Sequence, residues 1–250
     1  MMVIEGKVHD TQSLPALFFG HRKPLAYVGN PKVASTLALN FIFYLDHNYL
    51  YFDPVNIYHS PLAVPRLEAP DLDPRAVRLY FNFKRETFTF VRDPLRRFVS
   101  GFLNKVFTDI DPRYLHYRDM LACVHGLDIG PDADPRQSCL AFAKWIAAQP
   151  PKTIDPHFRL QHLNLAIGSR FTIDTVLRVE DKPSMLAYFA KWLGADKAEW
   201  FLSLRFNESV KYSHDDVTSD GLEALVRKIY ARDYELFYSE PVGARREDAA

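Results

Sequence analysis

Leu25-Ala26-Tyr27-Val28-Gly29-Asn30-Pro31-Lys32-Val33-Ala34-Ser35-Thr36-Leu37-Ala38-Leu39-Asn40 starts as a short apolar run, breaks at Gly29-Asn30-Pro31 and resumes at Ser35. An uninterrupted apolar strand is what a parallel sheet buried on both faces requires. Leu37, Leu39, Phe41, Ile42, Phe43 and Leu45 then cover most of a helix surface, which predicts a largely buried helix from Ser35 to about Asp46. Between strand and helix stand one cation, Lys32, and two hydroxyls, Ser35 and Thr36. Helix-start amides aim at an anion, the helix dipole favours it, and a lysine neutralises it. The stretch is a phosphate site in outline; a surface lysine beside an ordinary helix start is the other reading of these residues alone.

A second strand-turn-helix unit lies further along. Thr87 to Val91 has β propensity. After it, Asp93 can cap a helix and Pro94 suits its first turn. Leu95, Phe98, Val99, Phe102, Leu103 and Val106 repeat at helical spacing. Phe171 to Val179 predicts another strand, followed by a helix from about Pro183 to Leu193 that Gly194 stops. Tyr49 to Phe52 suggests a further strand, and a helix begins at Asp134-Pro135 and runs through Trp145. A short helical segment is expected over about His157–Ile167. Asp220 and Glu223, at capping-box spacing, open a last helix through about Asp233. Trp145, Trp192 and Trp200 lie in helical patterns and read as core.

Strands alternating with helices indicate an α/β chain: a single-domain, P-loop-like, three-layer fold with a central parallel sheet flanked by helices. Residues 1–24 read as an irregular N-terminal segment, 25–240 as the domain and 241–250 as a disordered tail. Residues 53–78 carry Pro54, Pro61, Pro65, Pro70 and Pro74, a loop-rich insertion suited to a lid or a substrate wall. Ligands on such sheets bind at the C-terminal ends of strands, where both turns sit.

Thirty-one basic residues balance 31 acidic ones, which argues against binding nucleic acid or a membrane surface by bulk charge. A small anion needs only local cations. Cys123 and Cys139 form no CxxC pair and read as reduced thiols of a cytoplasmic protein. No signal pattern and no apolar run of membrane-spanning length is present.

A Walker A loop, GxxxxGK[ST], puts its lysine after the second glycine. Here Ala34 stands where that glycine would be and Lys32 lies inside the loop, which disfavours ATP chemistry. In the second unit, Arg92 leaves a strand end and Ser100 follows two helical turns later. A guanidinium and a hydroxyl so placed can grip one phosphate from two sides. Arg92 paired with a local carboxylate and Ser100 as a plain surface hydroxyl is the alternative.

Taken together, Pro31-Lys32-Val33-Ala34-Ser35-Thr36 and Val91-Arg92-Asp93-Pro94-Leu95-Arg96-Arg97-Phe98-Val99-Ser100 resemble the two donor motifs of the sulfotransferases that use 3′-phosphoadenylyl sulfate (PAPS). Phe102-Leu103-Asn104-Lys105-Val106-Phe107, Asp155-Pro156-His157-Phe158-Arg159-Leu160-Gln161, Arg178-Val179-Glu180-Asp181 and Asn207-x-Ser209 with Tyr212 are similar to stretches of the carbohydrate branch that includes the chondroitin 4-O and HNK-1 enzymes. The matches spread over about residues 25–238. Ala34 replaces the usual glycine and Phe158 the usual tryptophan, and the branch's later cysteines and Golgi anchor are absent. A soluble bacterial-type member is the expectation.

The resemblance implies PAPS as sulfuryl donor, 3′-phosphoadenosine 5′-phosphate (PAP) as product, and a carbohydrate or glycoconjugate hydroxyl as acceptor, with no metal required. Lys32, the loop amides and the Ser35 and Thr36 hydroxyls would stabilise charge on the leaving phosphate. Arg92 and Ser100 would bind the 3′-phosphate. His157 is the first candidate for the general base, and His59, in the proline-rich insertion, the second. Arg97 is expected in the core, with Glu180 holding Arg92 or Arg97. The rival readings are a small P-loop nucleotide kinase and a catalytically silent nucleotide-binding relative.

Overall fold

Leu25, Ala26, Tyr27 and Val28 are all buried, and they form the strand from which the sheet is built. The computed structural model describes residues 15–53, 56–57, 60, 63–67, 85–108, 112–127, 129, 133–168, 172–206 and 212–239. In chain order the elements are β1 (Leu17–Phe19), β2 (Leu25–Val28), α1 (Ser35–His47), β3 (Arg66–Leu67) and β4 (Glu86–Val91). Then come α2 (Pro94–Phe102), a π-helical turn (Leu103–Thr108), a 3-10 turn (Pro112–Tyr114), α3 (Leu115–His125) and α4 (Pro135–Ala147). The chain closes with α5 (Gln161–Asn164), β5 (Thr175–Arg178), α6 (Lys182–Leu193), α7 (Ala195–Ser203), α8 (His214–Val217), α9 (Asp220–Ile229) and α10 (Ala231–Phe237).

The sheet order is β3-β1-β2-β4-β5. The centre is parallel as expected, β4 lying between β2 and β5 with Tyr27 opposite Phe88 and Phe90 opposite Leu177. The other edge is antiparallel, because β1 pairs with both β2 and β3. So the segment read as irregular contributes β1, the strand between β2 and the edge strand β3. β1 fills the flank of β2 that Tyr49–Phe52 would have needed, and those residues form no strand.

Side chains alternate across the sheet, as the strand period demands. On one face Tyr27, Phe88 and Phe90 pack with α1 and α6, where the Phe41 and Phe189 rings stack at 4.1 Å. On the other, Val28, Val91 and Leu17 meet Leu165, Ile173 and Phe237. Helices on both faces make the three layers. A second core, of Phe98, Phe102 and Phe142 from helices and Phe158 from the turn before α5, joins α2 to α3, α4 and α9 and walls one side of the site.

The helix ends follow local chemistry, with some differences from expectation. Asp93 and Asp134 accept the backbone N–H groups of Arg96 and Arg136, each with Pro in the first turn. Gly194 takes φ +82°, a left-handed stop that favours glycine, but α7 follows at once. The last helix is capped by Ser219, whose Oγ accepts the Leu222 N–H, rather than by Asp220, which is already its first helical residue, and it breaks at Tyr230. A reciprocal capping box does occur, between Ser213 and Asp216. Trp145 and Trp192 pack on the cores, whereas Trp200 is 43% exposed. Among the described residues no helix is long and apolar enough to cross a membrane.

Candidate functional site

The loop after β2 winds tightly into α1. Lys32 and Ala34 both adopt left-handed backbone, at φ 67° and 64°. Ala34 is the N-cap of α1 and offers no side-chain acceptor. The first N–H groups of a helix have no intrahelical partner, so they face the loop mouth. A left-handed residue other than glycine costs of order 1–3 kcal/mol and persists only where its surroundings enforce it. The enforcement is visible. Ser35 Oγ donates to the Asn30 carbonyl at 2.7 Å and lies 2.9 Å from the Tyr27 hydroxyl. Val33 is fully buried in the core, so only its backbone can serve a ligand. Thr36 is half-buried in the first turn of α1.

Arg92 stands at the end of β4 and reaches back to this loop, with Nη1 3.4 Å from the Lys32 carbonyl. Burial lowers its pKa, and Glu180 opposes that. Glu180 also accepts the Asp93 N–H at 3.0 Å and the Tyr238 hydroxyl at 3.0 Å. It thus braces the turn after β4. Ser100 is half-buried on α2.

Arg97 is the largest fully buried side chain, as expected of a core residue, but its role is specific. Nε donates to the Pro31 carbonyl at 2.9 Å, Nη1 to Arg159 at 2.7 Å and Nη2 to Pro156 at 2.8 Å. One guanidinium therefore ties the Lys32 loop to the turn that carries His157. A second polar brace was not foreseen. Gln161, fully buried, accepts from the Arg92 N–H and donates to the Arg92 carbonyl at 2.8 Å. It also accepts from Asn30 Nδ2 at 3.1 Å. Asn164 adds bonds to Asn30 and to the Pro156 carbonyl. Asp233 anchors α5 by accepting the Gln161 and His162 N–H groups and His162 Nδ1.

His157 sits on this frame with its side chain about a quarter exposed. Nδ1 lies 2.7 Å from Asp155 Oδ1, and the Tyr114 hydroxyl is 3.4 Å away. A carboxylate holding Nδ1–H leaves Nε2 as the lone-pair nitrogen. Burial, with the charges of Lys32 and Lys105, pushes the imidazole below its ordinary pKa against the pull of Asp155. Burial would raise Asp155 itself, but the His157 hydrogen bonds and charge outweigh it and hold the carboxyl low. Gly101 lets α2 approach: a Cβ there would lie 2.8 Å from the Phe158 ring. Lys32 Nζ donates to Asn104 Oδ1 in the π-helical turn.

Lys32, Arg92 and His157 thus share one corner of the fold. His59 lies outside the described residues. The sequence did not single out Asn30 or Asn164, and it carried Asn104 and Gln161 only inside family-like stretches, with no role assigned to either. Their signal was weak because the partners, backbone groups and side chains alike, lie far away in the chain.

The donors fit an anion bearing more than one phosphate: uncapped helix amides, an ammonium and a guanidinium. The neighbouring carboxylates are engaged elsewhere, Asp155 on His157, Asp93 on the α2 cap and Glu180 on Asp93 and Tyr238. Among the described residues no group of three or more His, Cys, Asp or Glu side chains could hold a metal ion. A family model described as "Sulfotransferase family" matches residues 15–239. Comparison with curated proteins and with solved structures gives no significant match.

Proposed function

The chain belongs to the sulfotransferase family, and from that premise we propose that it transfers the sulfuryl group of PAPS to a hydroxyl of a carbohydrate or glycoconjugate. The reading is carried by one observation: the buried Arg97 guanidinium bonds both the Pro31 carbonyl of the phosphate loop and the Pro156 carbonyl beside His157. A leaving-group site and a base are thereby held against one another.

When bound, the donor supplies an activated sulfuryl group: the acceptor O–S bond forms as the S–O bond to the 5′-phosphate breaks, and PAP departs. Lys32, the first-turn amides of α1, Ser35 and Thr36 would hold the 5′-phosphate and offset the charge growing on it. Preorganised donors of this kind are worth roughly 3–4 kcal/mol each when lost. Arg92 and Ser100 would hold the 3′-phosphate, which separates this donor from ATP-like nucleotides. His157 Nε2 would take the acceptor proton, and Asp155 would steady the imidazolium so formed; such general-base help is worth about 10²–10⁴-fold. The carbohydrate acceptor is supported by the likeness of Asn104-Lys105 and Asp155…Gln161 to the carbohydrate branch.

Thermal-shift measurements with PAP, ADP and ATP test the donor. Stabilisation by PAP alone is expected, and stabilisation by ATP with Mg²⁺ but not by PAP would overturn the reading. Transfer of labelled sulfate from PAPS to a panel of glycans tests the acceptor.

A further inference from the structure

Asn104 and Lys105 are consecutive, yet they address the two groups assigned to opposite halves of the reaction. Asn104 Oδ1 accepts from Lys32 Nζ. Lys105 Nζ lies 4.9 Å from the Tyr114 ring centre, and the Tyr114 hydroxyl is 3.4 Å from His157 Nδ1. Both residues belong to the six-residue π-helical turn into which α2 runs. Such turns are rare and gather at functional sites.

This turn is held in place from outside. Arg118, on α3, donates from Nε to the Val106 carbonyl at 2.8 Å and from Nη2 to the Phe107 carbonyl at 2.9 Å. Thr108 Oγ1 donates to the Leu103 carbonyl. Val106 and Phe107 are themselves buried in the helical core. A guanidinium on two turn carbonyls ties to α3 the widened backbone that presents Asn104.

Lys32 needs such a hold. It is a long side chain with several rotatable bonds, and free rotamers would dilute the one in which the ammonium faces the loop mouth. Asn104 offers a neutral acceptor, so it orients the ammonium without cancelling its charge, as a carboxylate would.

We propose that Asn104, presented by the π-helical turn that Arg118 secures, is a positioning residue for Lys32. The proposal rests on the assignment of Lys32 to the leaving phosphate, but the contact itself exists in the donor-free protein and is tested there.

The test uses the full chain without donor, with limiting acetic anhydride as amine probe and mass spectrometry of the Lys32 peptide. Asn104→Ala should raise the rate of Lys32 acetylation about threefold or more. Asn104→Asp, which keeps an acceptor oxygen and adds a charge that favours the protonated amine, should leave it at or below wild type. Arg118→Met, which removes the hold on the Val106 and Phe107 carbonyls, should also raise it, which keeps the proposal testable if Asn104→Ala fails to fold. Equal Lys32 labelling in wild type, Asn104→Ala and Arg118→Met would overturn the proposal, whether or not the protein turns over PAPS. In turnover, Asn104→Ala should lower kcat about tenfold, equivalent to roughly 1.4 kcal/mol, with PAP affinity by calorimetry nearly unchanged. A parallel loss of both would mark Asn104 as merely structural. A wild-type protein that ignores PAP would sink the sulfotransfer reading while leaving the labelling result to judge Asn104.

Discussion

Arg97 Nη2 donates to the Pro156 carbonyl at 2.8 Å, one residue before His157, while Nε of the same guanidinium holds Pro31, one residue before Lys32. The two groups assigned to leaving-phosphate stabilisation and proton removal are therefore fixed through a single buried side chain.

Removing that side chain should be expensive. Arg97→Met takes the donor from the part-buried Pro31 and Arg159 carbonyls, while Pro156 keeps only Asn164 Nδ2, and an unsatisfied buried group costs about 1–3 kcal/mol. We expect a loss of several kcal/mol in urea unfolding, with Arg97→Lys intermediate because one ammonium cannot span the same three acceptors. If Arg97→Met unfolds at the wild-type urea midpoint, the guanidinium is not a brace.

The pH dependence follows from His157. Its folded pKa lies below the ordinary 6.5, with burial first and Lys32 and Lys105 assisting, so neutral imidazole persists to lower pH. A base works neutral, so kcat/KM should be flat above this pKa and fall as pH drops through it. Lys105→Met removes a depressing charge and should move the acid limb upward. Asp155→Asn removes the partner that favours the imidazolium and should move it downward, with a lower plateau. A His157→Ala variant that retains the acid limb would exclude His157 as the base.

Lys32 and Arg92 should separate kinetically. Lys32→Ala is expected to lower kcat by about 10²–10³-fold with a small change in PAP affinity, since it acts on charge that develops during transfer. Arg92→Ala should weaken PAP binding in calorimetry. Unchanged PAP affinity would remove Arg92 from the 3′-phosphate site.

Ala34 marks a backbone constraint. At φ 64° a methyl is tolerated, but a β-branched residue is a severe outlier. Ala34→Val should lower Tm markedly. Ala34→Gly should stay within about 1 kcal/mol of wild type, because relief of strain offsets the added chain entropy.

Gly101 sets the distance between α2 and the His157 turn. An added Cβ would lie 2.8 Å from Phe158 Cε1 and 3.4 Å from the His157 carbonyl. Gly101→Ala should destabilise by about 1–3 kcal/mol, as overpacking does. Phe158→Leu in the same chain should cost less than the sum of the single changes, a coupling read from a double-mutant cycle.

Much of this was legible in residue order. The apolar run Leu25–Val28, the break at Gly29–Pro31 and the Asp93-Pro94 helix start are local signals, and each names its element because strand and helix periods differ. The antiparallel edge was not legible, since three residues, Leu17–Phe19, carry no usable period. Arg97 was correctly expected in the core, but its partners were hidden. They are carbonyls up to 66 residues away in the chain, and a carbonyl is the same whatever side chain it bears.

The amino-acid sequence by itself determined the alternating α/β order and the identity and chain order of the two stretches that resemble donor motifs, because these rest on local spacing and side-chain chemistry. Only the tertiary structure decided that Lys32, Arg92 and His157 meet, that Gln161 and Arg97 bind their loops together, and that a π-helical turn brings Asn104 to Lys32. Those relations depend on hydrogen bonds between backbone groups and buried side chains distant along the chain, which form only once the sheet and helices have packed.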